Sequence, residues 1–259
     1  MPIEKIIHQI WIQGKDQIPE KFLPNTEGIV KLHPNWKYIL WCEIKIIRLL
    51  RQNKVWLDTY YKFNYLHQKI DYAKYVILYK FGGVYVDMDA VVLKSFDSLL
   101  DSCMKYDLIV SKINLNRFES MLYCQRPVCI NNGIIMAQRS NSIIKKLVDS
   151  IDENPTSLNP IKFFSINHTT GPSMFTKIIL DNMNDQTMIL KPEYLEPQIF
   201  GMGDVTSNTY AIHQHEGSWL NKSFKKFGEF YIRNRIIVYI LLVILVLIFM
   251  ISFNYGCGG

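Results

Sequence analysis

Hydrophobic positions along this chain change their period several times, and each change predicts an element. Short β-like runs at residues 6–12, 37–41, 84–86, 108–111 and 133–137 alternate with helical stretches, the order expected of an α/β layer architecture. The sharpest transition lies between residues 69 and 92. Tyr72, Tyr75, Val76 and Tyr79 recur at helical spacing, so an apolar stripe can dock while Asp71 and Lys74 sit one turn apart on a neighbouring face. Gly82-Gly83 then stops the helix, because Gly tolerates the left-handed backbone of a C-terminal cap. Val84, Tyr85 and Val86 follow as a short buried strand. Residues 112–132 and 154–170, rich in Asn, Ser and Pro, read as loops that border an acceptor groove.

The strand at 84–86 runs directly into Asp87-Met88-Asp89. In parallel-rich α/β sheets, ligand chemistry collects at the carboxyl ends of strands. With one residue between them, the two carboxylates share a side only if the strand has ended and the backbone turns. Hard oxygen ligands of this kind suit Mg²⁺ or Mn²⁺, ions that keep open positions for substrate phosphates. An isolated Asp-x-Asp is commonly a solvated turn, so the context decides. Asp71, Lys74, Leu78, Gly82, Gly83, Tyr85, Asp87 and Asp89 stand in register with D-x-x-R-x-x-x-L-x-x-x-G-G-x-Y-x-D-x-D. That pattern resembles the sugar-transferase DXD signature of glycosyltransferase family 32, with Lys74 in place of the usual Arg. The segments 5–11, 35–38, 40–41, 131–137, 170–172 and 211–219 extend the resemblance over about residues 3–220.

The resemblance implies a GT-A type nucleotide-sugar-binding fold, with a Rossmann-like mixed sheet, and a metal-dependent retaining transferase. Such an enzyme moves a hexose (mannose, glucose, galactose or N-acetylhexosamine) from a UDP- or GDP-sugar to a glycan or lipid-linked acceptor. It further implies that Asp89 ligates Mn²⁺ (or Mg²⁺), while Asp87 meets the ribose, the sugar or the metal through water. Asp71 would hold donor hydroxyls. Lys74 would supply positive charge near the donor without the planar fork of Arg. His213 is implied as a late metal ligand, and His215 is the other candidate. On the donor side the resemblance puts His8, Trp11, Tyr85 and Asn132, with an aromatic residue beside the base, and Ser218 and Trp219 closing over the diphosphate. Gln214 and Glu216 depart from the family's usual residues there. Negative charge building on the β-phosphate would be stabilised by the metal, Lys74 and Ser218. The sequence identifies neither a carboxylate nucleophile nor a general base.

Two rival readings use the same residues. Asp87-Met88-Asp89-Ala90-Val91 also matches the first motif of haloacid-dehalogenase-type phosphatases, with Asp87 as nucleophile, Ser111 imitating their second motif and Gly203-Asp204 their late acidic loop. That motif normally opens its fold, whereas here a whole unit precedes it. A catalytically silent sugar-binding module is the other rival, and it predicts loss of one of Asp71, Asp87 or Asp89. All three are present.

Composition adds a boundary and an anchor. With 259 residues, 49% apolar and 13% aromatic, the chain suffices for one α/β core plus a tail. The expected division is a GT-A domain over 1–221, a basic juxtamembrane segment over 222–235, a transmembrane helix over 236–253 and a short tail over 254–259. The run 236–253 carries no charge and would extend about 27 Å as a helix, enough for a thin bilayer. Lys222, Lys225, Lys226, Arg233 and Arg235 precede it, so the positive-inside rule favours a cytoplasm-facing catalytic domain on a C-terminal anchor, with a Golgi or ER lumen as the alternative. No N-terminal signal peptide is evident. Five scattered cysteines lack metal-type spacing and fit a reducing compartment, and the sequons at Asn167 and Asn221 are of the kind an Asn-rich chain makes by chance. The net charge of +6 suits anionic lipid better than nucleic acid, for which no motif appears.

Overall fold

Six strands form the central sheet of the protein in the computed structural model, which describes residues 2–156, 159–216 and 222–256. They are β1 (Ile6–Ile10), β2 (Lys37–Trp41), β3 (Gly83–Val86), β5 (Leu108–Lys112), β6 (Ile130–Ala137) and β7 (Thr187–Leu190); β4 (Ala90–Val92) and β8 (Ala211–His213) pair separately. The order is β2-β1-β3-β6-β5-β7. β1 runs parallel to β2 and β3, β6 runs antiparallel to β3 and β5, and β7 returns parallel to β5. The sheet is therefore mixed, with β6 as its reversed strand. Strand side chains alternate between faces, and here both faces are apolar. Tyr85, Val110 and Ile135 join one core, while Val84, Val86, Ile109, Ile134 and Met136 join the other. β6 is buried along its whole length, as a central strand covered on both sides must be.

The helix Leu66–Phe81 packs against this sheet with Tyr72, Tyr75 and Val76 fully buried, as the apolar stripe predicts. Asp71 and Lys74, expected on a neighbouring face, are buried as well. The helix stops at Gly82 (φ 63°) and Gly83 (φ 95°). A Cβ on Gly83 would lie 2.5 Å from the Ile6 carbonyl oxygen, so this glycine permits both the turn and the close approach of β3 to β1. His8 secures the same junction from inside the core. The Trp41 indole N–H donates to its Nδ1 at 3.1 Å, which leaves the proton on Nε2 to donate to the Gly82 carbonyl at 2.9 Å. Burial holds the His8 ring neutral, with its pKa lowered to about 4.

The two segments expected as loops contain helices. Arg117–Cys124 starts from a capping box in which Asn116 accepts from the Glu119 amide and Glu119 accepts from the Asn116 amide. The other is Lys162–Thr169. Both were hidden in the sequence by polar residues: Asn116 and Glu119 cap the first, and Asn167 pins the second. Asn167 is fully buried, donating to the Tyr123 carbonyl at 2.7 Å and accepting from the Ser173 amide at 3.0 Å, so its sequon is a structural joint of the folded chain. The cysteines also correct an expectation: Cys124 and Cys129 are joined as a disulfide across a five-residue separation, and Cys42 and Cys103 are free.

The chain divides into two compact units, Met1–Trp219 and Leu220–Gly259. The second contains one long helix, Lys222–Gly256, broken by non-helical backbone at Asn234. Among the described residues no helix is long and apolar enough to cross a membrane. The side chains of 242–243 and 246–259 lie outside the described residues, so the expected span at 236–253 rests on the sequence alone.

Candidate functional site

The strand β3 ends at Val86, and the chain turns through Asp87-Met88-Asp89 before β4 begins at Ala90. The turn is closed by the Ala90 amide on the Asp87 carbonyl at 3.1 Å and tied to β6 by the Asp87 amide on the Gly133 carbonyl at 2.8 Å. Asn25 fixes its apex by donating to the Met88 carbonyl at 3.1 Å. Released from strand alternation, both carboxylates face one ring: His213 Nε2 lies 3.0 Å from Asp89 Oδ1 and 3.8 Å from Asp87 Oδ2. The condition set by the sequence, a strand that ends and a backbone that turns, is met.

His213 reaches this position because β8 pairs antiparallel with β4, in the register Ala90↔His213 and Val92↔Ala211. Beyond β8 the Gln214 amide donates to the Asp89 carbonyl at 2.9 Å, and His215 turns into left-handed backbone (φ 49°). That turn aims the Glu216 amide at Asp89 Oδ2, 3.0 Å away. Gly133 completes the contact. A Cβ there would meet Asp87 Oδ2 at 2.8 Å, His213 Cε1 at 2.9 Å and Asn131 Oδ1 at 3.0 Å, so only glycine leaves room for the acid and the imidazole together.

Next to the acid turn lies a second buried network. Asp71 Oδ1 receives Lys74 Nζ at 2.7 Å and Asn132 Nδ2 at 3.2 Å, while Thr170 Oγ1 donates to Oδ2 at 3.1 Å. Asn132 also donates to the Tyr75 hydroxyl at 2.8 Å, and Tyr85 donates to Asp87 Oδ1 at 2.7 Å. Lys74 is enclosed between the Tyr75 and Tyr85 rings. On the far side of His213 sits Glu196, fully buried, bonded to Asn131 Nδ2 and paired with His215 Nε2; its Oε2 is 3.5 Å from His213 Nδ1.

The charge balance is negative, since Asp71, Asp87, Asp89 and Glu196 share one lysine and two imidazoles. Burial raises the Asp71 and Asp87 carboxyls, with Lys74 acting in the opposite sense. Burial opposes ionisation of Asp89 too, but the His213 ring and the Glu216 amide outweigh it and hold that carboxyl well below its usual range. Against its own burial, Asp89 and Glu196 draw a proton strongly onto His213. A bound cation would offset the excess of carboxylates. Among the described residues, two sets offer three ligand atoms within 4.8 Å of one another, Asp87–Asp89–His213 and Glu196–His213–His215. A divalent ion fits the first set on its chemistry: two carboxylates and the Nε2 of an imidazole around one point.

Of the residues expected at the site, the structure brings together Asp71, Lys74, Tyr85, Asp87, Asp89, Asn132, His213 and His215. Trp11 is partly exposed and packs on Phe22, in one cluster with Met88 of the turn. His8 is not brought to the site; both its ring nitrogens are used in the core. Lys74 and Tyr85 face the carboxylates from inside the protein rather than an incoming diphosphate. Ser218 and Trp219 lie outside the described residues. Gln214 accepts weakly from Asn25 at 3.4 Å, and Glu216 pairs with Lys21 at 2.7 Å. Glu196 was missed, having no motif around it, and so was the packing of Gly133, legible only as a Gly inside a strand-like run.

The phosphatase alternative does not survive. Ser111 is buried in β5 with its hydroxyl on the Lys112 and Lys191 carbonyls, and Asp204 lies in the exposed stretch 201–208. Comparison with known proteins points the same way. Residues 19–105 match the family described as "Glycosyltransferase sugar-binding region containing DXD motif". Inositol phosphoceramide mannosyltransferase 1 of Schizosaccharomyces pombe is 38% identical over 38% of this chain and 31% of its own length. An uncharacterized glycosyltransferase, L373, of Acanthamoeba polyphaga mimivirus is 25% identical over 92% of each chain. The mannosyl phosphorylinositol ceramide synthase CSH1 of Saccharomyces cerevisiae is 34% identical over 68% of this chain and 42% of its own. The chain thus spans less than half of these yeast relatives and nearly all of the viral one. Among solved structures, the catalytic domain of alpha-toxin from Clostridium novyi shares the fold, with a TM-score of 0.51 at 10% identity over 89% of this chain and 82% of that one. The mixed sheet and its acid turn are GT-A-like, and, as the resemblance to glycosyltransferase family 32 implied, the chain carries the DXD-containing sugar-binding region of the glycosyltransferases.

Proposed function

We propose that this protein is a metal-dependent retaining glycosyltransferase that moves a hexose from a UDP- or GDP-sugar to a glycan or lipid-linked acceptor. The observation that carries the reading is the Asp87–Asp89 turn, inside the matched region, with His213 closing on it from β8. Asp87, Asp89 and His213 would hold Mn²⁺, which the mixed oxygen and nitrogen set suits better than Mg²⁺. When bound, such an ion supplies Lewis-acid stabilisation to a departing diphosphate. Of the two histidines His213 is the ligand, because His215 Nε2 is already engaged by Glu196 and by the Gln198 carbonyl at 3.2 Å.

The protein's own residues do the rest by position. Asp71 is held rigid by Lys74, Asn132 and Thr170 and presents the donor sugar with a fixed acceptor of hydrogen bonds. Lys74 offsets the charge of Asp71 and Asp87 from behind. Trp11, partly exposed and packed in one cluster with Met88 of the turn, would offer a ring on which a nucleoside base can stack. Three yeast relatives, two from Schizosaccharomyces pombe and one from Saccharomyces cerevisiae, have names that place their acceptors among inositol-containing ceramides, which supports a lipid-linked acceptor here. The uncharged run 236–253 supports a C-terminal membrane anchor. Basic residues ahead of it favour a cytoplasm-facing site, whereas the Cys124–Cys129 disulfide favours an oxidising Golgi or ER lumen. Protease protection of the membrane-bound protein decides between them.

The direct test offers the full-length protein a panel of UDP- and GDP-sugars with and without Mn²⁺. Metal-dependent release of UDP or GDP from one donor is the expected result and names the sugar. Absence of release from every donor removes the assignment.

A further inference from the structure

The fully buried Glu196 has no part in the DXD motif, yet it touches both late histidines. A carboxylate with no exposed surface is costly unless its charge is paired and its lone pairs are engaged. Glu196 accepts a hydrogen bond from Asn131 Nδ2, and two imidazoles stand within ion-pair reach of it: His215 Nε2 on Oε1 and His213 Nδ1, 3.5 Å from Oε2. The opposite nitrogen of the same ring, Nε2, is the one that faces Asp89 and Asp87. His213 therefore stands between a pair of carboxylates at the acid turn and one carboxylate behind it.

We propose that Glu196 is a positioning residue for the metal site, acting through His213. It holds the proton on Nδ1, so that Nε2 is left bare and aimed at the ion between Asp87 and Asp89. Metal-bound histidines generally donate their other ring N–H to a carboxylate or carbonyl, which fixes tautomer and ring orientation. Glu196 also occupies His215, whose ring lies 4.4 Å from that of His213, and keeps it from competing for the ion. The cluster Glu196–His213–His215 is on this account a support for the first site and not a second one, because Nδ1, the nitrogen that His213 turns toward Glu196, carries the proton and has no lone pair to give an ion. Asn131 extends the support: its Oδ1 accepts the Gly133 amide at 2.6 Å, tying Glu196 to the strand segment that packs on Asp87.

The inference rests on the metal-site reading above, and the experiment separates the two. Mn²⁺ is titrated into the full-length protein, with free Mn²⁺ followed by electron paramagnetic resonance, for wild type, Asp89→Ala and Glu196→Gln. Wild type is expected to bind one ion, Asp89→Ala none, and Glu196→Gln one ion about 10- to 100-fold more weakly. Two ions in wild type with one lost in Glu196→Gln would make Glu196 a ligand of a second site and overturn the proposal. Binding by Glu196→Gln within twofold of wild type would overturn it while leaving the metal site standing. No binding by wild type would remove both. A measurement on wild type alone guards against a variant that does not fold: ¹⁵N NMR of the His213 ring in the Mg²⁺-loaded protein is expected to show the proton on Nδ1, and a proton on Nε2 would overturn the proposal.

Discussion

The two sides of the site are built in different ways. The acid side, from Asp71 to Asp89, is one continuous stretch in which a helix, a glycine stop, a strand and a turn follow each other without interruption. The histidine side draws Gly133 from β6, Glu196 from a loop after the short helix Pro192–Leu195, and His213 from β8. Local chain geometry fixes the first, and long-range pairing of β8 on β4 fixes the second. A site made this way has its chemistry written in one place and its closure supplied from another.

Removing the proposed metal ligand from the local side is the harshest way to break the comparison. Asp89→Ala is expected to lower transfer by about 10³-fold or more while the thermal unfolding midpoint stays within a few degrees, because the residue lies on a turn outside the core clusters. Steady-state rates alongside a melting curve check both halves, and retained turnover would show that the acid turn is not the metal site. Gly133→Ala strikes the junction between the sides. Its Cβ would push Asp87 and His213 apart, and a displacement of that order costs about 10²-fold in rate, mostly in kcat. Unchanged kcat would mean that the two sides are not in register contact.

A third experiment probes the scaffold under the local side through pH. His8 is neutral in the fold, with its pKa lowered to about 4 by burial, against about 6.5 when unfolded. The unfolded chain therefore binds the proton first. This contribution is fully present above pH 6.5 and is lost as pH falls from there to 4, amounting to about 3 kcal/mol at most. Urea midpoints measured across that window should fall with acidification in wild type and fall less in His8→Gln. The smallest effect belongs to the capping box of helix Arg117–Cys124, where Asn116→Ala should cost about 1 kcal/mol in the same urea assay.

What could be read in the sequence follows the same division. The helix at 66–81, its glycine stop, β3 and the acid turn were legible because each depends on neighbours within one or two turns of chain. β4, β7 and β8 were not, being three or four residues long and stabilised by partners far away in sequence. Helix Arg117–Cys124 was hidden because Asn116 and Glu119, its reciprocal caps, are the residues that also mark loops. Glu196 offered no signal at all: an acid beside a proline reads as surface until Asn131, His213 and His215 are brought around it. His8 misled in the opposite direction, since a histidine in an opening strand near an aromatic residue looks like a ligand contact and here is an internal brace.

The pairing of β4 with β8 gives the protein a gauge that is indifferent to what lies between. Ala90 opposite His213 and Val92 opposite Ala211 set the distance from acid turn to imidazole by ladder register alone. A slip of one residue would put Ile212 in place of His213 and turn its side chain to the opposite face. The exposed stretch 204–208, just ahead of β8, can therefore lengthen or shorten without changing that distance. The part of the chain most open to insertion lies a few residues from the part that tolerates no shift, so segments can be exchanged there while the acid turn and the imidazole keep their spacing.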